Sequence, residues 1–329
     1  MTSPAPPVRK PSLVPGADPC DHVPVGTEPS IDIPATRPLL ATATLQFHWP
    51  YAITIGAVHV LALLAVAPSL FSWAGVITMA VGVHIYGDLG INLCYHRLLT
   101  HRSFKTPKWL ERTLVFFTLG CLEDTPAKWA TVHRYHHQHA DAERDPHSPL
   151  VAFLWAHVGW LLFRNPDTWN SSTMQKYARD ILEDPVYMRL EKIPWLVLPI
   201  YLAHALVFFA IGFAFGGLPL ALSLLVWGVF VRTVIVWHLS WAVNSFTHVF
   251  GYRNYETEDR SRNNTIVAIL TSGEGWHNNH HHDQRCATTQ HRWWEFDLTY
   301  YTILLLERLG LASDVVRPRS RSPGLPDRA

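Results

Sequence analysis

The sequence predicts an all-α integral membrane protein, with four transmembrane helices in two hairpins and a helical cytoplasmic cap holding a histidine-rich di-metal site. Three observations carry this expectation. No Asp, Glu, Lys or Arg occurs from Pro38 to Gly87, and only Arg232 interrupts the stretch from Ile193 to Tyr252. Of the 20 histidines, eight fall between His96 and His157 and four between His277 and His282, beside the ends of those two stretches. An ordinary soluble domain does not segregate charge in this way.

Residues 1–36 are rich in Pro, Ser, Thr, Asp and Gly without hydrophobic periodicity, which predicts a disordered tail with no signal-peptide core. Each uncharged stretch is about twice the ~20 residues that a spanning helix needs. Pro68 and Ser69 break the first, giving helices over about 49–67 and 73–93. Gly216, Gly217 and Pro219 break the second, giving helices over about 193–215 and 220–241. Both hairpin tips lack Lys and Arg, whereas 13 lie between Arg97 and Lys192 and ten follow Tyr252. The positive-inside rule therefore predicts cytoplasmic termini and a cytoplasmic central segment. The apolar runs 113–122 and 149–163 are shorter than a span and read as interfacial or core helices of the cap. The domain is expected to cover 37–312, followed by a flexible tail over 313–329.

Composition narrows the function. The 329 residues are 48% hydrophobic and 16% charged, with 27 Lys plus Arg against 26 Asp plus Glu, a near-neutral balance that argues against nucleic acid as a partner. The four cysteines lie far apart without a CxxC pair, excluding a thiolate zinc site or an iron–sulfur cluster. Any metal must therefore be held by other ligands.

Histidine supplies them. His133, His136 and His137 fall at i, i+3 and i+4, so three imidazoles of one helix aim at one volume, and His277, His280 and His281 repeat the spacing. His96 and His101, five apart at the end of the second span, converge if the helix unwinds there. Clustered imidazoles repel when protonated, so eight together make sense as neutral ligands of a cation, and eight exceed one coordination sphere. Two metals drawn from iron, copper, zinc or nickel are implied. Glu123, Asp124, Asp141, Asp145, Glu274 and Asp283 lie close enough in sequence to accept the second ring N–H and orient ligands. Asp88 and Asn92, on the His96 face of the second span, either orient the metal site or bond between spans. Arg232, deep in the fourth span, must snorkel or find a partner that the sequence does not name.

These motifs resemble a known family, the membrane-bound fatty-acid desaturases, and within it the acyl-CoA delta-9 (stearoyl-CoA) type. The resemblance rests on His96-Arg97-Leu98-Leu99-Thr100-His101, His133-Arg134-Tyr135-His136-His137 and Gly273-Glu274-Gly275-Trp276-His277-Asn278-Asn279-His280-His281, in that order. Asp145-Pro146-His147, His157-Val158-Gly159-Trp160 and Asn244-Ser245-Phe246-Thr247-His248 support it, so that about 49–310 is covered. It implies two iron ions held by the eight box histidines plus His248, with Asn244 near one iron through a water, and O₂ as co-substrate. It further implies an acyl tunnel lined by Trp129 and Trp241, and a head-group contact at Arg164. The substrate would be a long saturated acyl chain on CoA or a lipid, entering from the bilayer and leaving with a cis double bond.

An unactivated methylene has no acidic proton and no leaving group, so the chemistry must come from a redox metal and dioxygen. The chain carries no cytochrome domain, no GxGxxG after a strand and no CxxC cluster, so electrons are expected from a separate donor, a ferredoxin or a b-type cytochrome with its reductase. A bacterial inner membrane is the expected location. The spacing from His137 to Asp145 is shorter than in the animal acyl-CoA enzymes, and His139 and His282 are additional, which leaves the acyl carrier open. A hydroxylase, acetylenase or terminal-alkene-forming enzyme on the same scaffold is the nearest alternative. A zinc hydrolase lacks its HExxH motif here, and a metal transporter would place its ligands at mid-bilayer.

Overall fold

The computed structural model describes residues 45–318, so the tail expected over 1–36 lies outside the described residues. A two-stranded pairing, β1 (Gln46–Phe47) with β2 (Phe163–Arg164), ties the segment before the first helix to a later one. The helices that follow β1 are α1 (Trp49–Ala62), α2 (Trp73–Gly82), α3 (Lys108–Leu119) and α4 (Pro126–His139). Around β2 come α5 (Phe153–His157), α6 (Ser171–Tyr177), α7 (Arg179–Leu182) and α8 (Pro185–Lys192). The chain then forms α9 (Val197–Leu225), α10 (Arg232–Phe246), α11 (Thr265–Leu270), α12 (His277–His282) and α13 (Leu298–Arg308).

Three helical stretches are long and apolar enough to cross a membrane: Trp49–Val66, Trp73–Thr100 and Pro194–Phe246. Their outward residues include Ile53, Val60, Val66, Trp73 and Phe215, all exposed, a pattern suited to lipid rather than water. The third stretch has 53 residues, and its helical geometry breaks at Gly216 and Gly217, where Gly217 takes φ +64°. The chain folds back there: a Cβ on Gly212 would stand 2.6 Å from the Ala221 Cα. The two hairpin tips meet through the Ser72 and Ser223 hydroxyls, 2.7 Å apart, and the Trp227 indole N–H donates to the Leu70 carbonyl at 3.1 Å.

Past α2 the helix widens. Val83–Thr100 is π-helical, and the His101 N–H still reaches the His96 carbonyl at 3.0 Å. One such wide turn spans five residues, so His96 and His101 share a face without unwinding; widening, not unwinding, brings them together.

Arg232 is fully buried and does not snorkel. Its guanidinium donates to the Gly120 carbonyl at 2.7 Å and stacks over the Tyr86 ring at 3.8 Å. The ordered chain also runs further than expected at its C-terminal end. Lys105 and Ser313 exchange backbone bonds at 2.8 and 2.9 Å, and the Val316 N–H donates to the Ser103 carbonyl at 2.8 Å, so residues assigned to the flexible tail are pinned by backbone pairing.

Candidate metal centre

Two helices carry most of the histidines. Thr125 caps α4 with its hydroxyl on the Lys128 N–H, and Pro126 follows at the first helical position, fixing the helix start about two turns before the histidines. The six-residue α12 is held from its sides instead. The Asn279 side chain accepts from Asn254 and Asn263 and donates to Glu295 at 2.7 Å, while the Asn278 carbonyl oxygen accepts the Asn254 and Tyr255 N–H groups.

The imidazoles gather in two groups, one of His96, His101, His133, His137 and His280 and one of His136, His248, His277 and His281; within each, the ligand atoms lie within 4.8 Å of one another. In the first, Nε2 atoms stand 3.1 Å apart for His96 and His280, 3.0 Å for His101 and His133, and 2.9 Å for both His133 with His137 and His137 with His280. In the second, they stand 3.1 Å apart for His248 and His277 and 3.0 Å for His277 and His281. The triplets thus do not aim at one volume. On α4 the outer pair serves the first group and His136 the second; on α12 the outer pair serves the second group and His280 the first. His282 stacks flat on Tyr255 at 3.8 Å, outside both groups, and His139 lies against Tyr135.

Carboxylates fix four of the rings. Glu274 takes the His96 Nδ1–H at 2.8 Å, Asp145 that of His136 at 2.9 Å, Asp141 that of His248 at 2.8 Å and Asp259 that of His281 at 2.8 Å. With Nδ1 protonated, each Nε2 presents a lone pair to its group. His136 and His281 then face each other through two bare Nε2 atoms 3.4 Å apart, an arrangement that calls for a cation between them. Imidazole nitrogen with carboxylate support suits iron, and the residues fit a two-ion centre.

For six of the rings the electrostatics favour the neutral form, while at His248 burial is outweighed by Asp141, which raises it. Burial first, then neighbouring imidazoles, holds His101, His133, His137, His277 and His280 well below the ordinary histidine range. His281, also lowered by burial but partly restored by Asp259, sits at about 4. Burial alone would raise Glu274, yet Arg97 and His96 pull it down to about 2. Asp145 and Asp259 are likewise held low by their histidines against the effect of burial.

Of the carboxylates read from sequence, Asp141, Asp145 and Glu274 stand on ligand rings. Asp124 bonds Tyr51 and Lys128 instead, and Glu123 bonds Trp129 and Ser240. Asp88 bonds His84 at 2.9 Å and Asn92 donates to the Thr271 carbonyl at 2.9 Å, so this pair ties the span to the segment before α12 rather than orienting a ring. Two residues escaped the sequence reading. Asp259 sits far from any triplet in a polar loop. Arg97, fully buried, holds Glu274 and Asp297 at 2.8 Å each; its place inside the first box was a signal left unused.

Beside the first group lies a cavity of about 560 Å³, within the range of ligand pockets. His133, His147 and Asn244 line it, as do Trp129, Trp237 and Trp241, and its wall extends to the exposed Trp195 and Leu198. Trp129 stacks on His133 at 5.0 Å. Arg164 is exposed and faces Trp169 at 6.0 Å.

A helical fold with membrane-length apolar stretches and a two-part imidazole cluster beside an apolar cavity defines a class, that of histidine-rich membrane metalloproteins. The comparisons narrow it. Residues 68–301 match the model of the fatty acid desaturase family, and the chain belongs to that family. It is 46% identical over 281 residues to an sn-1 stearoyl-lipid 9-desaturase of Anabaena variabilis, covering 84% of this chain and 97% of that protein. It is 42% identical to an sn-1 stearoyl-lipid 9-desaturase of Synechocystis sp., covering 82% and 80%. It is also 41% identical to an acyl-CoA C20 Delta5-desaturase of Anemone leveillei, covering 91% and 90%.

Proposed function

We propose that this desaturase places a cis double bond at carbon 9 of a long saturated acyl chain carried on a membrane glycerolipid, using two iron ions, O₂ and an external electron donor. The observation that carries the reading is the pair of imidazole groups, one of five rings and one of four, the first of which meets a largely apolar cavity through His133. The glycerolipid is favoured over CoA because both cyanobacterial relatives cited above act on stearoyl-lipids. The wall of exposed Trp195 and Leu198 suits an acyl chain arriving from the bilayer.

The net change is –CH₂–CH₂– with O₂, two electrons and two protons going to –CH=CH– and two water molecules. With iron bound by the nine histidines, the centre supplies the oxidising power that an unactivated methylene requires. Everything else is positioning. Trp129 and Trp241 form a dry wall that holds the chain against the His133 side of the centre and keeps bulk water out. Asn244 lines the same cavity, and we assign to it the holding of a water at the centre. Glu274, Asp145, Asp141 and Asp259 keep four Nε2 lone pairs aimed inward throughout.

Electrons are assigned to a separate acidic carrier protein, of the ferredoxin or b-type cytochrome kind. A depression of about 660 Å³ on the other side of the first group reaches His101 and His137, and its rim sets Arg102, Arg134, Lys176, Arg179 and Arg285 against Asp180 and Glu183. The charge pattern in the sequence supports four spans in two hairpins with this face and both termini in the cytoplasm. Heterologous expression in a host of known lipids, followed by double-bond localisation in each lipid class, tests the reading. New 9-unsaturated chains in glycerolipid are expected; an unchanged acyl profile, or a hydroxylated product, overturns it.

A further inference from the structure

Glu123 is a half-buried acid in the cavity wall that takes no part in holding the metal centre. One carboxyl oxygen, Oε2, accepts the Trp129 indole N–H at 3.4 Å and the Ser240 hydroxyl at 3.1 Å. The other, Oε1, is buried without a partner. The same cavity is lined by Leu122, Trp129, Trp237 and Trp241 on its apolar part, with Asp124, Lys128 and Ser240 among its polar residues. Among the described residues, neither nearby cation bonds it. Lys128 is committed to Asp124 at 3.3 Å and to the Tyr51 hydroxyl at 2.6 Å, and sits over the Trp169 ring at 3.5 Å. Arg232, on α10, is turned to the Gly120 carbonyl and the Tyr86 ring. The remaining titratable neighbours add no positive charge: Asp124, Cys121 and Tyr95, whose hydroxyl donates to the Asp124 carbonyl at 3.2 Å. An ionised carboxylate here would be an unpaired buried charge, which proteins avoid by keeping the proton.

We propose that Glu123 is a specificity-determining residue of the acyl cavity that admits an apolar chain only as the uncharged acid, and that its ionisation closes the cavity to the substrate. With Oε2 receiving both donors, the proton resides on Oε1, and the group completes a neutral wall beside Trp129. Loss of that proton puts an anion against the methylenes. Burial, opposed by Ser240 and Trp129 and assisted by Asp124, raises this carboxyl to about 8, so the transition falls in an accessible range. Linkage then makes the effect reciprocal: a bound chain excludes water from the carboxyl and strengthens its hold on the proton.

The inference rests on the acyl-desaturase reading, and the test separates the two. The iron-loaded full-length enzyme is assayed with its electron donor from pH 6.5 to 9.5, and KM and kcat are taken for a stearoyl glycerolipid in mixed micelles. Wild type is expected to lose affinity about tenfold in KM per pH unit above about 8, while E123Q, uncharged at every pH, keeps a level KM across the range. Titration of groups at the metal centre moves kcat in both proteins alike and leaves this contrast intact. A KM that climbs in parallel in both, or stays level in wild type, overturns the proposal. Tryptophan quenching by the same lipid gives a readout free of turnover: weakening above about pH 8 in wild type but not in E123Q is expected even if no double bond forms, whereas pH-independent binding in wild type overturns the inference. E123M, also uncharged, repeats the test if E123Q does not fold.

Discussion

His136 and His281 face each other through Nε2 atoms 3.4 Å apart, each with its Nδ1 proton already given to a carboxylate. Two lone pairs at that separation repel unless a cation lies between them. A metal ion bound there would help to hold α4 to α12. Purified protein is expected to carry two iron ions per chain, and their removal by chelation should lower the melting temperature. At a free-ion concentration 100 times Kd the loss is about 2.7 kcal/mol per site. Metal analysis beside thermal denaturation checks both numbers; an unchanged melting temperature in stripped protein contradicts the role.

Asp259 reaches the second group only through His281. Asp259→Ala should leave the chain folded and weaken iron binding by about 10–100-fold, with Asp259→Asn milder because its amide oxygen still accepts the ring N–H. Competition against a chelator of known affinity reads the difference.

Arg97 neutralises two buried acids at once. Arg97→Met strands Glu274 and Asp297 without a counter-charge and should cost about 3–5 kcal/mol. Thermal stability in detergent, compared with the Arg102→Gln surface change, isolates the effect.

The arms of α9 meet at Gly212, where a side chain would strike the Ala221 backbone at 2.6 Å. Gly212→Val must push the arms apart, since backbone cannot rotate away, and a loss of about 1–3 kcal/mol is expected. Gly56, which has open space around its Cβ position, provides the control as Gly56→Val.

Acid should destabilise the metal-free protein in a defined window. His101, His133, His137, His277, His280 and His281 all titrate lower in the fold than in the unfolded chain, whose histidines sit near 6.5. Their neutral burial stabilises the fold above pH 6.5, and that stability drains away as pH falls from 6.5 towards 4, the value reached by His281, at up to about 1.4 kcal/mol per unit for each ring. The depressed Glu274 delays its own protonation to about pH 2, so carboxylate loss follows rather than leads. Melting temperature against pH, with and without iron, checks the order.

Much of this was legible in the sequence because charge is banned from lipid and imidazoles are rare. The long apolar stretches and eight of the ring positions followed from those two facts, whereas His248 entered only with the family resemblance. What stayed hidden depends on how elements meet. The spacing of His133, His136 and His137 fixes one helix face but not that two ions divide it, which needs α12 laid across α4. The five-residue gap from His96 to His101 fits a wide helical turn that no propensity marks. Asp259 and the partners of Arg232 come from segments distant in sequence, and the acid in the cavity wall is conspicuous only once three tryptophans surround it.

The crosswise sharing of rings between α4 and α12 bears on biogenesis. Neither half of the centre is whole until the chain has been made as far as residue 281, because the first group waits for His280 and the second for His277 and His281. On the proposed function, a nascent or truncated polypeptide would lack a complete ligand set for either ion and so could not turn oxygen loose on the surrounding lipid. The protein arms itself only when it is built.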